Sequence, residues 1–594
     1  MATHRTRRPT GRLIAAGALV VGVGAAAGAL VPALAAPGAA TYTVTTVADA
    51  GPGSLRQAIT DANDSGGTDR IEFAIPGAGP RTIAVDSPLP EITDPVTVDG
   101  YTQPGATPNT RSAGSDAELG VEIAGGDDVA GNGLTLADGS GGSTVRGLVV
   151  NGFTGTVATG NGAGVKVESD GNTIAGNVLG LDADGETAAP NRTAGVLVTG
   201  QGNTVGGGAA ADRNVVSGNG NRLNLQSPVP VGTAGVYLRG GGARANTVDN
   251  NIIGPSASGD PVLTRGSTGP SLVQGNGVIV EAGAQRNVIG ATERDDPGNV
   301  ISGNATRGVW IQLPGTSYNS VSGNRIGTDL EGDGPLPGPT DPAAVQDSGI
   351  QISQDARYDS IGVGPDRSTE PGFGNEIAYN DNDGVVIGGT QRLATDFTDG
   401  HLIRFNTYHD NGGSDDIGIA INGDSGTPEQ GLASPFERTP GLGNAPHDRN
   451  VTNLDEPTDF DTGPNNENNL VRLDPTTSLE GGRAHARGTV NTEPNATFVI
   501  DFYANDDPDP SGYGEGEHFV GSSTIDTDAL GNATIDVLLP ADENVTSGSA
   551  ITASTTKISG GVTSVLPADA GELAGQLTQP PFSTGEFGKN SEVE

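Results

Sequence analysis

The chain has 594 residues, enough for several domains or one long repeat array. It contains no cysteine, which excludes disulfides, thiolate chemistry and Cys-ligated zinc. Gly supplies 96 residues and hydrophobic types only 34%, too little apolar matter for thick helical layers. A formal net charge of −41 disfavours nucleic acid, anionic lipid and polyanionic glycans as partners unless cations intervene.

Residues 1–36 read as a signal peptide. Arg5, Arg7, Arg8 and Arg12 form a basic start, "LIAAGALVVGVGAAAGALV" is the apolar centre, and Ala33 to Ala35 offer a small-residue cleavage site. A retained anchor is the alternative. The paired arginines of "TRRPTGRL" lack the apolar residues that should follow a twin-arginine signal. After cleavage, 72 acidic residues face 27 basic ones (31 less these four), a net charge near −45. No later segment is apolar for long enough to span a bilayer, so the mature chain is expected outside the cell without a membrane span.

Residues 41–110 read as a cap and first rungs. "TYTVTTVADAGPGSLRQAITDAND" pairs a strand with a short helix that Ser54 can N-cap. "DRIEFAIPG", "RTIAV" and "PVTVDGY" then lead into an array over 111–475. There the phrase Gly-apolar-x-apolar recurs at 133, 164, 195, 235, 277, 308, 349, 384 and 418. Asn-x-Val/Ile follows most copies by eight to eleven residues, and the units alternate between two kinds of closing phrase.

Strands of about four residues are unstable alone. Separated by Gly and Asn, they can bury an apolar face only by coiling into stacked rungs, with Asn side chains bonded in ladders between rungs. The expected fold is all-β, a parallel β-helix of nine or ten rungs. Spaced at about 4.8 Å, these make a rod on the order of 45 Å long. A β-propeller would need antiparallel hairpin blades, which the alternating rungs do not supply. Over 477–567 the strands lengthen, as in "ATFVIDFYAN" and "GNATIDVLLP", with turn spacing that fits a small Ig-like β-sandwich. Residues 568–594 read as a flexible tail.

The wording "GPGSLRQAITDAN", "GNVISGN", "GNRIGTD", "DTGPNNENN" and "DPSGYGEGEHFVGSSTIDTDALGNAT" resembles the secreted bacterial right-handed parallel β-helix repeat proteins of the pectate-lyase-like superfamily. It is most similar to the subgroup that opens on a "CSLREA"-type segment, here without the cysteine. The resemblance covers nearly all of residues 41–565. It implies a right-handed parallel β-helix with an N-terminal cap and a small C-terminal β-sandwich, together with export, and implies no defined activity.

Outward positions of the strand phrase should form one column: Thr135, Lys166, Leu197, Tyr237, Ile279, Trp310, Gln351, Val386 and Ala420. Leu197, Tyr237, Ile279 and Trp310 are its large apolar members and the candidate ligand-binding residues, with aromatic faces suited to sugar C–H edges. The competing reading is that loops cover this stripe. Asp415 and Asp416 resemble the paired aspartates of polygalacturonase-like hydrolases, but the accompanying Gly-His-Gly and Arg-x-Lys phrases are missing, and a solvated turn is the simpler reading.

Lys166 and Arg404 are the basic side chains available to a lyase. His401, His409 and His447 lack metal-ligand spacing and read as surface or loop residues. Asp507, Asp509 and Ser511 have the odd-position spacing of a calcium loop, with Glu517 as a closing acid one residue early. A solvated hairpin is the alternative, and no cofactor is required. The expectation is a non-catalytic rod binding polysaccharide or an extracellular matrix component. The alternative is a polysaccharide-degrading lyase or glycoside hydrolase acting on the outer face of the helix.

Overall fold

The computed structural model describes residues 38–126, 129–220, 232–262, 274–294, 296, 298–337, 346–367, 370–388, 398, 400–412, 418–421, 471–474, 476–506, 515–560, 583–584 and 591–593. Among them, short strands stack into three long parallel sheets of 11, 10 and 9 strands. Every pairing within these sheets runs between successive rungs, as coiling requires. The third sheet contains the repeated strand phrase. Val165, Val196, Val236, Val278, Val309, Ile350, Val385 and Ile419 lie in one unslipped file along it. All of them are buried at 0–1% exposure, and they pack in one continuous core with the inward files of the other two sheets. The expected parallel β-helix is therefore the fold.

Three amide ladders run beside the sheets. The second-sheet ladder is Asn177, Asn214, Asn251, Asn299, Asn324, Asn375 and Asn406, linked side chain to side chain at 2.8–3.1 Å. Every step but Asn214 to Asn251 is doubled. The backbone N–H and Nδ2 of Asn251, for example, both donate to Oδ1 of Asn299. The third-sheet ladder mixes the two amides as Asn191, Asn219, Gln274, Asn304, Gln346, Asn380 and Asn411. These side chains satisfy backbone groups that the corners would otherwise leave buried and unpaired.

The first-sheet ladder changes chemistry on its way. Asn172, Asn203, Asn246, Asn287 and Asn319 are followed by Asp359 and then His401. Asp359 Oδ1 accepts from the backbone N–H and Nδ2 of Asn319, as an amide oxygen would. Its Oδ2 stands where the rest of the ladder has an NH₂ group, 3.6 Å from His401 Nδ1. Complete burial pushes the Asp359 carboxyl up to about 7 against the hydrogen bonds from Asn319 and the charge of Arg367. His401 Nδ1 accepts the Asp359 backbone N–H, which fixes the neutral ring with its proton on Nε2. Burial, helped by Arg367, holds His401 down to about 3. His401, expected at the surface or in a loop, is fully buried because it takes a ladder position.

The rod is closed at both ends. Helix Leu55–Asp64 is capped by Ser54, whose Oγ accepts the Gln57 N–H, and it lays Leu55, Ala58, Ile59 and Ala62 onto the first rungs. At the other end, strands over 471–560 form antiparallel layers around Ala486, Ile500, Phe502, Ile535 and Ile551. The segment read as a flexible tail contributes two short strands, Ser583–Thr584 and Ser591–Val593. The second pairs with strands Thr476–Leu479 and Ala550–Gly560, covering edges that would otherwise be open.

Candidate functional site

The expected column on the outside of the third sheet exists. Lys166, Leu197, Tyr237, Ile279, Trp310, Gln351, Val386 and Ala420 are in register across successive rungs. Its large members are nevertheless covered, with Leu197 5%, Tyr237 2%, Ile279 0% and Trp310 6% exposed. Val157 packs on this stripe, and the Arg307 guanidinium lies 4.4 Å over the Trp310 ring. Trp310 Nε1 donates to Ser353 Oγ, and the Tyr237 hydroxyl donates to Glu281. With faces and polar tips both engaged, these four residues form a second core and offer no sugar platform.

Other candidates are also engaged. Arg404 is 3% exposed and grips Asp501 of the C-terminal layers through Nε and Nη2, both at 2.7 Å. Lys166 pairs with Glu168 at 2.7 Å. Neither is a free base for a lyase. Asp415, Asp416, His447, Asp507, Asp509 and Ser511 lie outside the described residues. Glu517 is half-buried and accepts the Asp506 N–H at 2.7 Å. Ligand atoms of Asp506, Glu517 and His518 fall within 4.8 Å of one another. His409 ends strand Thr407–His409, half-exposed between Asp410 and Glu376.

The residues that sequence reasoning missed stand at the corner immediately before the first-sheet ladder. The residue preceding the ladder amide takes a left-handed backbone, which suits Gly202 at φ 64°. The rungs that follow place Ala245, Arg286, Tyr318 and Tyr358 there, at φ 50°, 55°, 59° and 60°. A bulky side chain in this conformation costs roughly 1–3 kcal/mol. Tyr318 and Tyr358 stack with ring centroids 5.2 Å apart and planes within 18°, and the Arg286 guanidinium lies over the Tyr318 ring, 5.9 Å from its centroid. Such stacking returns about 0.5–1.5 kcal/mol, so it offsets only part of that strain.

Both tyrosines are half-buried and Arg286 is exposed. Burial raises the Tyr318 hydroxyl's pKa above its ordinary value, keeping it a neutral donor at physiological pH. One position earlier, Arg244, Gln285, Ser317 and Arg357 bridge rung to rung. The corner therefore presents two parallel files of cations, amide and phenol groups at rung spacing. The signal was present in the wording "ARAN", "AQRN", "TSYN" and "ARYD", where other units have Gly before the ladder residue.

No family profile and no curated protein matches this chain. Among solved structures it is similar to tailspike protein 2 of Escherichia coli O157:H7 bacteriophage CAB120, at 9% identity and a TM-score of 0.28. That match covers 90% of this chain, which spans only 65% of the tailspike's length. The enzymatically active domain of tailspike protein 4 from bacteriophage CBA120 is 12% identical, with 90% and 66% covered and a TM-score of 0.20. The tailspike of Acinetobacter baumannii phage AM24 is 9% identical, with 91% and 70% covered and a TM-score of 0.19. The fold here is established by strand register, independently of these likenesses.

One further group belongs to the site's surroundings. Asp249, on the outer side of the first sheet opposite Gly206, is 6% exposed, and its Oδ1 is buried without a hydrogen-bond partner. Burial pushes its carboxyl up to about 6. The Asn250 backbone hydrogen bond opposes this, and the charge of Asp296 adds to it.

Proposed function

We propose that this chain is an exported, surface-associated rod that binds polysaccharide at the first-sheet corner without cleaving it. The observation that carries the reading is the Tyr318–Tyr358 stack, held half-exposed and in register at a backbone position that favours glycine. Strain retained against stability is a mark of function. Aromatic rings at rung spacing match the repeat of an extended sugar chain, and their hydroxyls supply hydrogen bonds. Export rests on residues 1–36, and calcium, where it binds, would be held by the loop from Asp506 to Glu517.

The test is retention of the full mature chain on a panel of immobilised polysaccharides, with reducing-sugar release assayed with and without calcium. Tyr318→Ala with Tyr358→Ala is expected to weaken the retained glycan's binding at least tenfold without changing the far-UV spectrum. Unchanged affinity in the double variant would remove the corner from the binding site.

A specific observation favours one second reading, hydrolysis. Asp249 is a carboxyl held protonated near pH 6 with the exposed Asp296 nearby, the kind of division between acid and anion that glycoside cleavage uses. Release of reducing ends by the wild type and its loss in Asp249→Asn would establish that reading in place of simple binding.

A further inference from the structure

We infer that the glycan taken by this corner is negatively charged, its acidic groups meeting Arg244 and Arg286 while its sugar edges lie along Tyr318 and Tyr358. The inference rests on the binding reading above and adds to it a substrate class. The first ground is charge. Acidic residues outnumber basic ones by 72 to 31 in the whole chain, yet four arginines (Arg244, Arg286, Arg357 and Arg367) gather at this one corner. Arg244 and Arg286 are exposed. A chain of this net charge repels polyanions over most of its surface, so a local cationic file decides where one can approach.

The second ground is direction. The Arg244 side chain donates its Nε–H to its own turn, at the Gly241 carbonyl, and Arg286 lies against the Tyr318 ring. Neither forms an ion pair among the described residues, whereas exposed Arg70 and Arg146 and half-buried Arg239 elsewhere are each paired with a carboxylate. A guanidinium that rests on an aromatic face keeps its edge available for a bidentate contact with a carboxylate or sulfate.

The third ground is what surrounds the site. The acids nearest the tyrosine stack in sequence are Asp355 and Asp359, and Asp359 points inward as a ladder residue, fully buried, while exposed Asp366 adjoins Arg367 in the following loop. Arg367 donates to the Tyr358 carbonyl from the following loop and adds positive potential behind the stack. Parallel files one rung apart can repeat the same contact along a chain that carries one acidic group per sugar. A lone anion site would need only one of these arginines.

The experiment measures binding of the mature chain to three soluble polysaccharides, one neutral, one carboxylated and one sulfated, at low and moderate salt. The expected result is tighter binding of one or both acidic polymers, weakening with salt. In Arg244→Gln with Arg286→Gln, that affinity should fall tenfold or more and its salt dependence should shrink. Preference for the carboxylated or the sulfated polymer identifies the acidic group. Binding that is equal for the neutral polymer, independent of salt and unchanged in the arginine double variant overturns the inference, while the tyrosine reading stands if Tyr318→Ala with Tyr358→Ala still weakens it. Failure of all three polymers to bind overturns both. The melting temperature of each variant, matched to wild type, separates loss of a contact from loss of the fold.

Discussion

Two corners of this rod use one backbone device for different ends. At the first sheet, Tyr318 and Tyr358 occupy left-handed positions before the ladder, stack on each other and stay half-exposed. At the second sheet's last rung, Phe405 occupies the equivalent place before Asn406 at φ 63°. There the aromatic ring is 6% exposed, packed edge-on against Phe519 of the C-terminal layers at 5.1 Å. Its neighbour Arg404 is locked to Asp501. Where the residue ahead of a ladder amide is left-handed, it is thus the free variable of a rung, because the amide itself is committed to the scaffold. Where the chain's own next domain fills the corner, the residue is structural. Where nothing from the described chain fills it, the same device is open to a ligand.

The largest effect should come from breaking the covered corner. Arg404→Ala leaves Asp501 charged and buried, a loss on the order of 3–5 kcal/mol that should appear as a much lower melting temperature. A charge-neutral pair, Arg404→Met with Asp501→Leu, should recover most of it. If Arg404→Ala alone melts like wild type, the C-terminal layers do not hold the end of the rod.

Next is the altered ladder. Asp359 has a folded pKa raised to about 7, from an unfolded value near 3.8. The folded state therefore holds the proton more tightly. Its contribution is intact below pH 3.8 and is lost progressively as pH rises through 7, a penalty of a few kcal/mol above neutrality. Asp359→Asn should restore the amide, raise stability at pH 8 and flatten the slope between pH 4 and 7. An unchanged slope in chemical denaturation would mean that the proton is not held there.

An intact ladder gives a smaller, pH-independent loss. Asn299→Ala removes the acceptor for two donors of Asn251, an expected cost of about 1–3 kcal/mol. At the open corner the sign changes. Tyr318→Gly relieves a left-handed tyrosine while giving up one stacking contact, so stability should move by about 1 kcal/mol or less while glycan affinity collapses. Stability falling in step with affinity would make the stack structural. The smallest effect belongs to His409. Burial pulls its pKa down, but hydrogen bonds with Glu376 and Asp410 outweigh that and raise it to about 9. Its contribution is complete below pH 6.5 and is lost as pH climbs through 9, so His409→Gln should differ from wild type at pH 6 and converge with it at pH 10.

The scaffold was legible because repetition averages out local ambiguity. Val165, Val196, Val236 and Val278 recur in one phrase, and only stacking can bury all four. The asparagine ladders were legible for the same reason. Burial of Trp310 was not decided by its own strand, since the phrase gives its direction but not what lies over it. Arg404 was misread as available because its partner, Asp501, is 97 residues away in another layer. The tyrosine corner escaped notice because Tyr318 and Tyr358 interrupt a Gly-Asn pattern, and the reading followed the pattern instead of its exceptions.

The second-sheet ladder has one more consequence. Its consecutive members are as few as 25 residues apart, between Asn299 and Asn324, and as many as 51, between Asn324 and Asn375, yet the rungs keep register throughout. Each amide works like a bookmark, returning the chain to its place however long the excursion between pages. New loops can then be inserted between rungs without rethreading the rod, which leaves the outer surface free to diversify over an unchanged interior.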